Sequence, residues 1–358
     1  KRQIMNNNNI ENQKRRIIDI FRSLGVECTE VCHTIGPTTV SYELMPQIGT
    51  RLSRLKKYLN DVILWLGDSV RIVMPSSNRA TIRVEMPSDN PQPIPFRAIV
   101  NSKEFQQSDC ILPIAFGKTS MNEWYVMDLA KTRHLLIAGR TGFGKSMCLH
   151  IIIRSLLLKR TPEEVRFIFI AQDATELQAY SSIAENYLVK IPDVNKMIVT
   201  DVCQTIRLLR SLCVELDNRY DCLRKLHLRS ISGCNSFPHI IVIIDEYANF
   251  LMNAGKQFLL PLCLLAQLGH AVGIHLVITT QRVTDIVPGY FPVRIALQTG
   301  GVMDSRTIIG RRGAESLLRP GDMLFSHNIL LRIQGAYIDA EDKDGLVVAG
   351  KATQWEIK

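Results

Sequence analysis

The stretch that decides the fold of this chain reads Gly139-Arg140-Thr141-Gly142-Phe143-Gly144-Lys145-Ser146. It fits the phosphate-loop pattern G-x-x-x-x-G-K-[ST]. An apolar run at 134–138 predicts a strand before it, and a Leu- and Ile-rich run at 147–158 predicts a helix after it. A glycine-rich turn could match by chance, but the motif requires this strand–loop–helix order and has it. The sequence therefore predicts a site for a nucleoside triphosphate.

The positions of this loop have predicted roles toward ATP and Mg²⁺. Backbone N–H groups from Gly139 to Met147 are expected to cradle phosphate oxygens, because they and the helix N-terminus carry partial positive charge. Lys145 is expected to reach the β- and γ-phosphates, and the Ser146 hydroxyl is expected to coordinate Mg²⁺. We therefore assign nucleotide binding to the whole loop and Met147.

Two further predicted strands end in polar residues that complete such a site. The apolar run 239–244 is followed by Asp245 and Glu246, which is the form of a Walker B element. Asp245 is expected to hold Mg²⁺ through water, and Glu246 is expected to act as general base on the attacking water. The run 276–280 ends at Gln281. This glutamine could sense the γ-phosphate or orient the water, and a simple strand-end cap is the open alternative.

The pattern of strands and helices divides the chain into three parts. From about residue 110, apolar strands alternate with helices, which predicts a mainly parallel sheet covered on both faces. The predicted strands there are 134–138, 166–170, 239–244, 274–279, 293–297 and 330–337, and the predicted helices are 146–158, 201–227 and 256–270. Residues 36–100 instead predict a small α+β domain. We expect a helical lead-in at 1–24, the α+β domain at 25–108 and an ATPase domain at 109–358.

Composition and charge indicate the class of binding partner and the cellular compartment. A net charge of +9 and a pI near 9.1 favour a polyanionic partner. An odd count of nine cysteines and the phosphate loop predict a cytoplasmic protein with reduced thiols. The uncharged run 258–280 contains Pro, Gln, Gly and His, so a buried helix and strand explain it better than a membrane span. Because the chain begins with Lys1, we expect any membrane anchor to lie outside it.

Motifs along most of the chain resemble the motor module of the FtsK/SpoIIIE DNA translocases. The resemblance runs from about Gly36 to Gly350. The matching segments are Gly36-Pro37-Thr38, Arg51 to Leu55, Asp128 to Leu136, Asn218-Arg219-Tyr220, Ile244 to Ala248, Gly273 to Val277, Thr280-Gln281-Arg282, Asp304 to Ile308, Gly313 to Leu318 and Gly321 to Leu324. They occur in the family's order and spacing.

The resemblance implies both a fold class and an assembly. The fold class is α/β, with a RecA-like P-loop ATPase domain of mainly parallel sheet preceded by a small α+β domain. The assembly is a homo-hexameric ring that pumps double-stranded DNA through its pore, with ATP at each subunit boundary and the parent protein anchored to the inner face of the cell membrane. A loop containing Arg306, Arg311 and Arg312 is the expected DNA contact.

Four segments depart from the family pattern. Ala171-Gln172-Asp173 stands in place of Asp-Pro-Lys, and Gly310-Arg311 in place of an acidic-polar pair. His270 and Val302 replace an arginine and a lysine that act on the neighbouring subunit's ATP. Two functions therefore stay open. One is a DNA-translocating ATPase for chromosome segregation or mobile-element transfer, and the other is a weakly hydrolysing coupling or scaffold ring of a secretion or conjugation system.

Overall fold

The computed structural model describes residues 2–50, 52–67, 70–76, 81–189, 197–231, 237–282 and 290–339. Two sheets organise these residues. A four-stranded antiparallel sheet has the order β1-β2-β4-β3, and a ten-stranded sheet has the order β6-β5-β14-β13-β12-β7-β11-β10-β8-β9. The elements around the first sheet are α1 (Arg2–Ser23), β1 (Cys28–Ile35), β2 (Thr39–Pro46), α2 (Leu52–Lys57), α3 (Leu59–Leu66), β3 (Arg71–Ser76) and β4 (Thr81–Pro87).

The second sheet belongs to the larger part of the chain. Two short helices, α4 (Phe96–Val100) and α5 (Lys103–Gln106), lead into it. Its elements are β5 (Pro113–Thr119), β6 (Trp124–Asp128), α6 (Leu129–Thr132), β7 (Leu135–Ala138), α7 (Lys145–Lys159), β8 (Val165–Ala171), α8 (Ala184–Tyr187), β9 (Ile198–Val199), α9 (Val202–Lys225), β10 (His239–Asp245), α10 (Tyr247–Ala254), α11 (Lys256–Leu268), β11 (Ile274–Thr280), β12 (Val293–Ala296), α12 (Val302–Ile309), β13 (Asp322–Ser326) and β14 (Leu330–Gly335). Short 3₁₀ turns lie at Leu177–Ile183, Gly269–Val272 and Ala314–Ser316.

The small domain is built on its first helix as well as its sheet. Ile17 and Phe21 of α1 are fully buried against Tyr42 and Val84 of the sheet, because the helix presents its apolar face to those strands. The segment predicted as a lead-in at 1–24 is therefore packed into this core. Helices α2 and α3 of this domain are separated at Tyr58.

The parallel half of the large sheet is buried on both faces. Ile241 and Ile243 of β10 face a core that includes the helix after the phosphate loop, and Val242 faces the core of α9 and α11. Burial on both faces explains why these strands are apolar throughout. The predicted α/β fold with a mainly parallel sheet is confirmed, and each predicted strand and helix of this domain is present. Strands β1, β5, β6, β9 and β13 were missed.

A buried ion-pair cluster joins the two sheets. Arg332 on β14 donates two hydrogen bonds to Asp322 and lies 3.3 Å from the carboxylate of Glu85 on β4. Arg71 lies 3.1 Å from the same carboxylate oxygen. Burial alone would raise the pKa of Glu85, but the two guanidinium groups lower it below its usual value. Arg71 is thus neutralised within the fold.

The uncharged run 258–280 forms most of α11 and all of β11, as predicted. Within the described residues, no helix is both long and apolar enough to span a membrane. Residues 340–358, which the sequence assigns to the ATPase domain, lie outside the described part of the chain, so the three domain boundaries stay predictions.

Candidate nucleotide-binding site

The phosphate loop follows β7, which lies between β12 and β11 in the interior of the sheet. Two of its glycines have positive φ and close neighbours. A Cβ on Gly139 (φ 155°) would lie 2.7 Å from the Cβ of Leu297, and one on Gly144 (φ 107°) would lie 3.1 Å from the backbone nitrogen of Gly321. Glycine is therefore required at both positions, since any other side chain would displace the backbone.

Lys145 begins α7 and turns back into the loop. Its ammonium group donates a hydrogen bond of 2.9 Å to the carbonyl of Gly139, and the side chain is buried. Burial lowers the pKa of Lys145, and the charges of Glu246 and Asp245 oppose that shift. A buried ammonium group within the phosphate loop is suited to bind a phosphate oxygen.

The loop forms one wall of a cavity of about 770 Å³. The cavity lies at the carboxyl ends of β7, β8, β10 and β11, the edge at which open α/β sheets bind ligands. Its lining residues are Thr141, Gly142, Gly144, Lys145, Ser146, Gln172, Asp173, Glu176, Asp245, Glu246, Asn249 and Gln281. The structure therefore brings together all the residues predicted for catalysis and metal binding, while their individual roles stay predictions.

Some predicted loop residues lie away from this cavity. Gly139 and Arg140 line a neighbouring cavity of about 400 Å³, which also includes Thr141 and Gln281. The side chains of Phe143 and Met147 pack against the core instead. For these two residues, the predicted phosphate contact is restricted to the backbone N–H group.

Gln281 connects the phosphate loop to the acidic pair. Its side-chain oxygen accepts a hydrogen bond of 2.8 Å from the hydroxyl of Thr141. Its backbone N–H donates to both carboxylate oxygens of Glu246, at 3.0 and 3.1 Å, and the hydroxyl of Thr280 lies 3.3 Å from one of them. The side chain of Gln281 thus contacts the loop, which a simple strand-end cap would not require.

Two comparisons by sequence identify the family. The model of the FtsK alpha domain matches residues 1–88, and the model of the FtsK/SpoIIIE family matches residues 96–237. A DNA translocase FtsK from Haemophilus influenzae is 33% identical over 369 residues, covering 92% of this chain and 68% of that protein. The chain belongs to the FtsK/SpoIIIE family. A DNA translocase FtsK from Chlorobaculum tepidum is 35% identical over 351 residues, and the chain spans 44% of its length.

Solved structures support the P-loop ATPase fold. The conjugation coupling protein TcpA, solved as a monomer with ATPγS, has a TM-score of 0.61 at 19% identity and covers 94% of this chain and 99% of its own. The type VII secretion ATPase EccC of Thermomonospora curvata has a TM-score of 0.59 at 20% identity, covering 74% of this chain and 35% of its own. The FtsK/SpoIIIE chain described here shares this architecture with both.

Sequence reasoning missed four residues that line the larger cavity, namely Gln172, Asp173, Glu176 and Asn249. The first two directly follow β8, where the FtsK/SpoIIIE pattern has a different tripeptide. Hydrogen bonds from Thr175 lower the pKa of Asp173. Glu176 lies 3.1 Å from the Nε2 of His150 on α7. Their position after a parallel strand is the signal that could have identified the first two, because carboxyl ends of such strands share one edge.

The arginines predicted to contact DNA lie on one exposed segment. Arg306 is on α12, and Arg311 and Arg312 follow in the turn after it; all three are exposed. The hydroxyl of Ser305 donates to the carbonyl of Arg311 at 2.8 Å and so fixes this turn. The arrangement is compatible with a DNA-facing loop of an FtsK/SpoIIIE motor, and the contact itself stays a prediction.

The two positions at which the sequence predicts a departure from the family's trans-acting cations have different surroundings. His270 is half-buried and packs edge-on against His134, with ring centroids 6.1 Å apart. Burial, together with the charge of Arg133, lowers the pKa of His270. Val302, the first residue of α12, is partly exposed. A neutral, half-buried imidazole is a poor substitute for an arginine at this position.

Proposed function

We propose that this chain is an ATP-hydrolysing motor that translocates double-stranded DNA as a homo-hexameric ring. The observation that carries the proposal is the convergence of Lys145, Asp245 and Glu246 on one cavity, in a member of the FtsK/SpoIIIE family. A ring would place each cavity at a subunit boundary, which head-to-tail interfaces generate when they close. The motor would act in the cytoplasm, attached to the membrane through segments outside this chain.

The residues of the cavity fit Mg²⁺ and a nucleoside triphosphate. Ser146 and Asp245 offer a hydroxyl and a carboxylate oxygen, the hard ligands that Mg²⁺ prefers. When bound with ATP, Mg²⁺ would neutralise charge on the β- and γ-phosphates. Lys145 would exchange its bond with the loop carbonyl for bonds to phosphate oxygens, and the loop N–H groups would fix the phosphate chain.

Glu246 would serve as the general base. Its carboxylate lies on the cavity wall and is held by the N–H of Gln281, so it is oriented before substrate binds. It would accept a proton from the attacking water, and Gln281 would orient that water or sense the γ-phosphate through its bond to Thr141. Binding of the phosphates would thereby be linked to the position of the base.

A second function is favoured by the surroundings of His270 and Val302. Neither position supplies a permanent cation, and a trans-acting arginine contributes about 10³–10⁵ to phosphoryl transfer in related enzymes. A ring that binds ATP and hydrolyses it slowly could instead act as a coupling or scaffold protein in a secretion or conjugation system. The variants His270→Arg and His270→Arg with Val302→Lys should raise turnover markedly under this proposal, whereas brisk wild-type turnover would contradict it.

The deciding experiment measures ATPase activity of the full chain with and without duplex DNA. We expect duplexes of unrelated sequence to stimulate ATPase activity equally, because contacts to phosphates carry no sequence information. If about six phosphates are neutralised, affinity should fall roughly 10³-fold between 50 and 200 mM salt. Replacing Arg306, Arg311 and Arg312 by Ala should flatten that dependence. Salt-insensitive or strongly sequence-selective binding would contradict the proposal.

A further inference from the structure

Thr279 contacts both acids of the site and had no role in the sequence analysis. Its hydroxyl donates a hydrogen bond of 2.5 Å to Oδ1 of Asp245 and accepts one of 2.9 Å from the backbone N–H of Glu246. The residue is fully buried at the end of β11. A threonine hydroxyl has one proton to donate, and here that proton is committed to the carboxylate.

The register of the sheet explains this contact. Strands β10 and β11 are parallel and pair Ile244 with Ile278, so the next residues, Asp245 and Thr279, lie side by side at the carboxyl edge. Paired residues of neighbouring strands point to the same face. The hydroxyl therefore meets the carboxylate without any departure from regular sheet geometry.

The hydrogen bond from the backbone N–H of Glu246 to Thr279 supports an unusual backbone conformation. Glu246 has φ 51° and ψ 60°, a left-handed conformation that costs energy for a residue with a Cβ. This conformation turns the chain from β10 into α10, and the carboxylate of Glu246 is bonded to the N–H of Gln281. The bond to Thr279 satisfies the N–H of Glu246 at that turn.

We propose that Thr279 is a positioning residue that sets the Asp245 carboxylate for Mg²⁺ and the Glu246 backbone for catalysis. The inference rests on the proposed function, since it assigns Thr279 to the same site. With Oδ1 bonded to Thr279, the carboxylate of Asp245 is restrained before the metal binds. Removing a partner that orients a metal ligand usually weakens metal affinity 10- to 100-fold.

The test compares Thr279→Val, which removes the hydroxyl at nearly constant volume, with Thr279→Ser, which keeps it. Binding of a fluorescent ADP analogue to the full chain is measured with Mg²⁺ and with EDTA. We expect Thr279→Val to reduce the gain in affinity that Mg²⁺ provides by 10- to 100-fold, without changing affinity in EDTA. Thr279→Ser should restore the wild-type gain. Thr205→Val, which removes a buried hydroxyl on α9 that donates to the backbone carbonyl of Asp201, is the matched control.

The outcomes separate this inference from the proposed function. A merely structural Thr279 would give a lower melting temperature but a wild-type gain from Mg²⁺, and that result overturns the inference. Failure of the wild-type chain to bind the ADP analogue overturns the proposed function and the inference with it. If Thr279→Val melts below the assay temperature, Thr279→Ala, which cannot overpack the site, must show the same selective loss.

Discussion

The same three strands of the large sheet have polar residues at both ends, with different consequences. At the carboxyl edge of β7, β10 and β11, the polar residues are Lys145, Asp245, Glu246 and Gln281, and they line an open cavity. At the amino edge, they are His134, His239 and His275. The histidines pack against one another instead, with His239 and His275 stacked at a centroid distance of 5.3 Å.

The amino edge is closed by hydrogen bonds to the backbone. His275 donates from Nδ1 to the carbonyl of Arg133 at 2.8 Å, and the N–H of Leu276 donates to Nδ1 of His134 at 3.0 Å. The buried Arg219 donates to the carbonyls of Pro238 and Val272. Polar groups that satisfy one another in this way stabilise a fold. The comparison therefore assigns ligand binding to one edge and stability to the other.

The largest expected effect is at the carboxyl edge. Lys145→Ala should lower ATP turnover by about 10²–10³-fold or more, because Lys145 is the one basic side chain among the residues that line the described cavity. The unfolding free energy should change by only about 1 kcal/mol, the worth of one hydrogen bond. Steady-state ATPase assays and thermal melts measure both quantities. Lys159→Ala, at the other end of α7, is the matched control, and turnover that survives Lys145→Ala would contradict the site.

At the amino edge, we expect a substitution of the buried Arg219 to lower stability without affecting ATP binding. Arg219→Met leaves the buried carboxylate of Glu215 without the partner that now lies 2.7 Å away. Breaking such a pair costs about 3–5 kcal/mol of unfolding free energy. Denaturant titration measures this loss, and the KM for ATP of the folded variant should not change.

Arg224→Met is the control for Arg219, because it lies on the same helix and pairs with Asp221 at the exposed surface. Arg224→Met should lower the unfolding free energy by less than about 1 kcal/mol. Equal losses from the two variants would show that the amino edge does not stabilise the fold more than the surface does. A large change in KM for Arg219→Met would instead place it in the nucleotide site.

The histidines predict how stability depends on pH. Burial and nearby cationic groups lower the pKa of His239 to about 4, and burial with His239 lowers that of His275 to about 3. Both histidines stay neutral in the fold, whereas the unfolded chain takes up protons below pH 6.5. Their contribution to the unfolding free energy is therefore fully present above that pH and is lost as the pH falls. The two together should lower the unfolding free energy by about 2.5 kcal/mol between pH 7 and 5.5.

Thermal melts from pH 7.5 to 5.5 measure this effect. His239→Asn should reduce the decrease in melting temperature over that range without abolishing it, because the lowered pKa values of His134, His270 and His275 remain. His327→Asn, at an exposed histidine, should leave the decrease unchanged. A decrease that is the same in all three proteins would show that the histidine cluster does not set the pH dependence.

The two edges also show how far the sequence alone leads. The phosphate loop and Asp245-Glu246 were predictable because the residues that act together are adjacent in sequence. Long apolar runs predicted the buried parallel strands, whereas the antiparallel strands β5, β6 and β13 were missed, and β6 is only partly buried. Thr279 could not be predicted, since its contact with Asp245 depends on the register between β10 and β11.

The smallest expected effect concerns the exposed hydrogen bond between Thr141 and Gln281. Thr141→Val removes the hydroxyl and should lower turnover several-fold, about 1 kcal/mol in the barrier, because Gln281 loses its connection to the phosphate loop. The unfolding free energy should change by less than about 0.5 kcal/mol, since both side chains are exposed. Thr141→Ser keeps the donor and should retain wild-type turnover. If Thr141→Val reduced stability as much as a substitution at the amino edge does, the carboxyl edge would also be part of the stabilising core, and the contrast between the two edges would no longer hold.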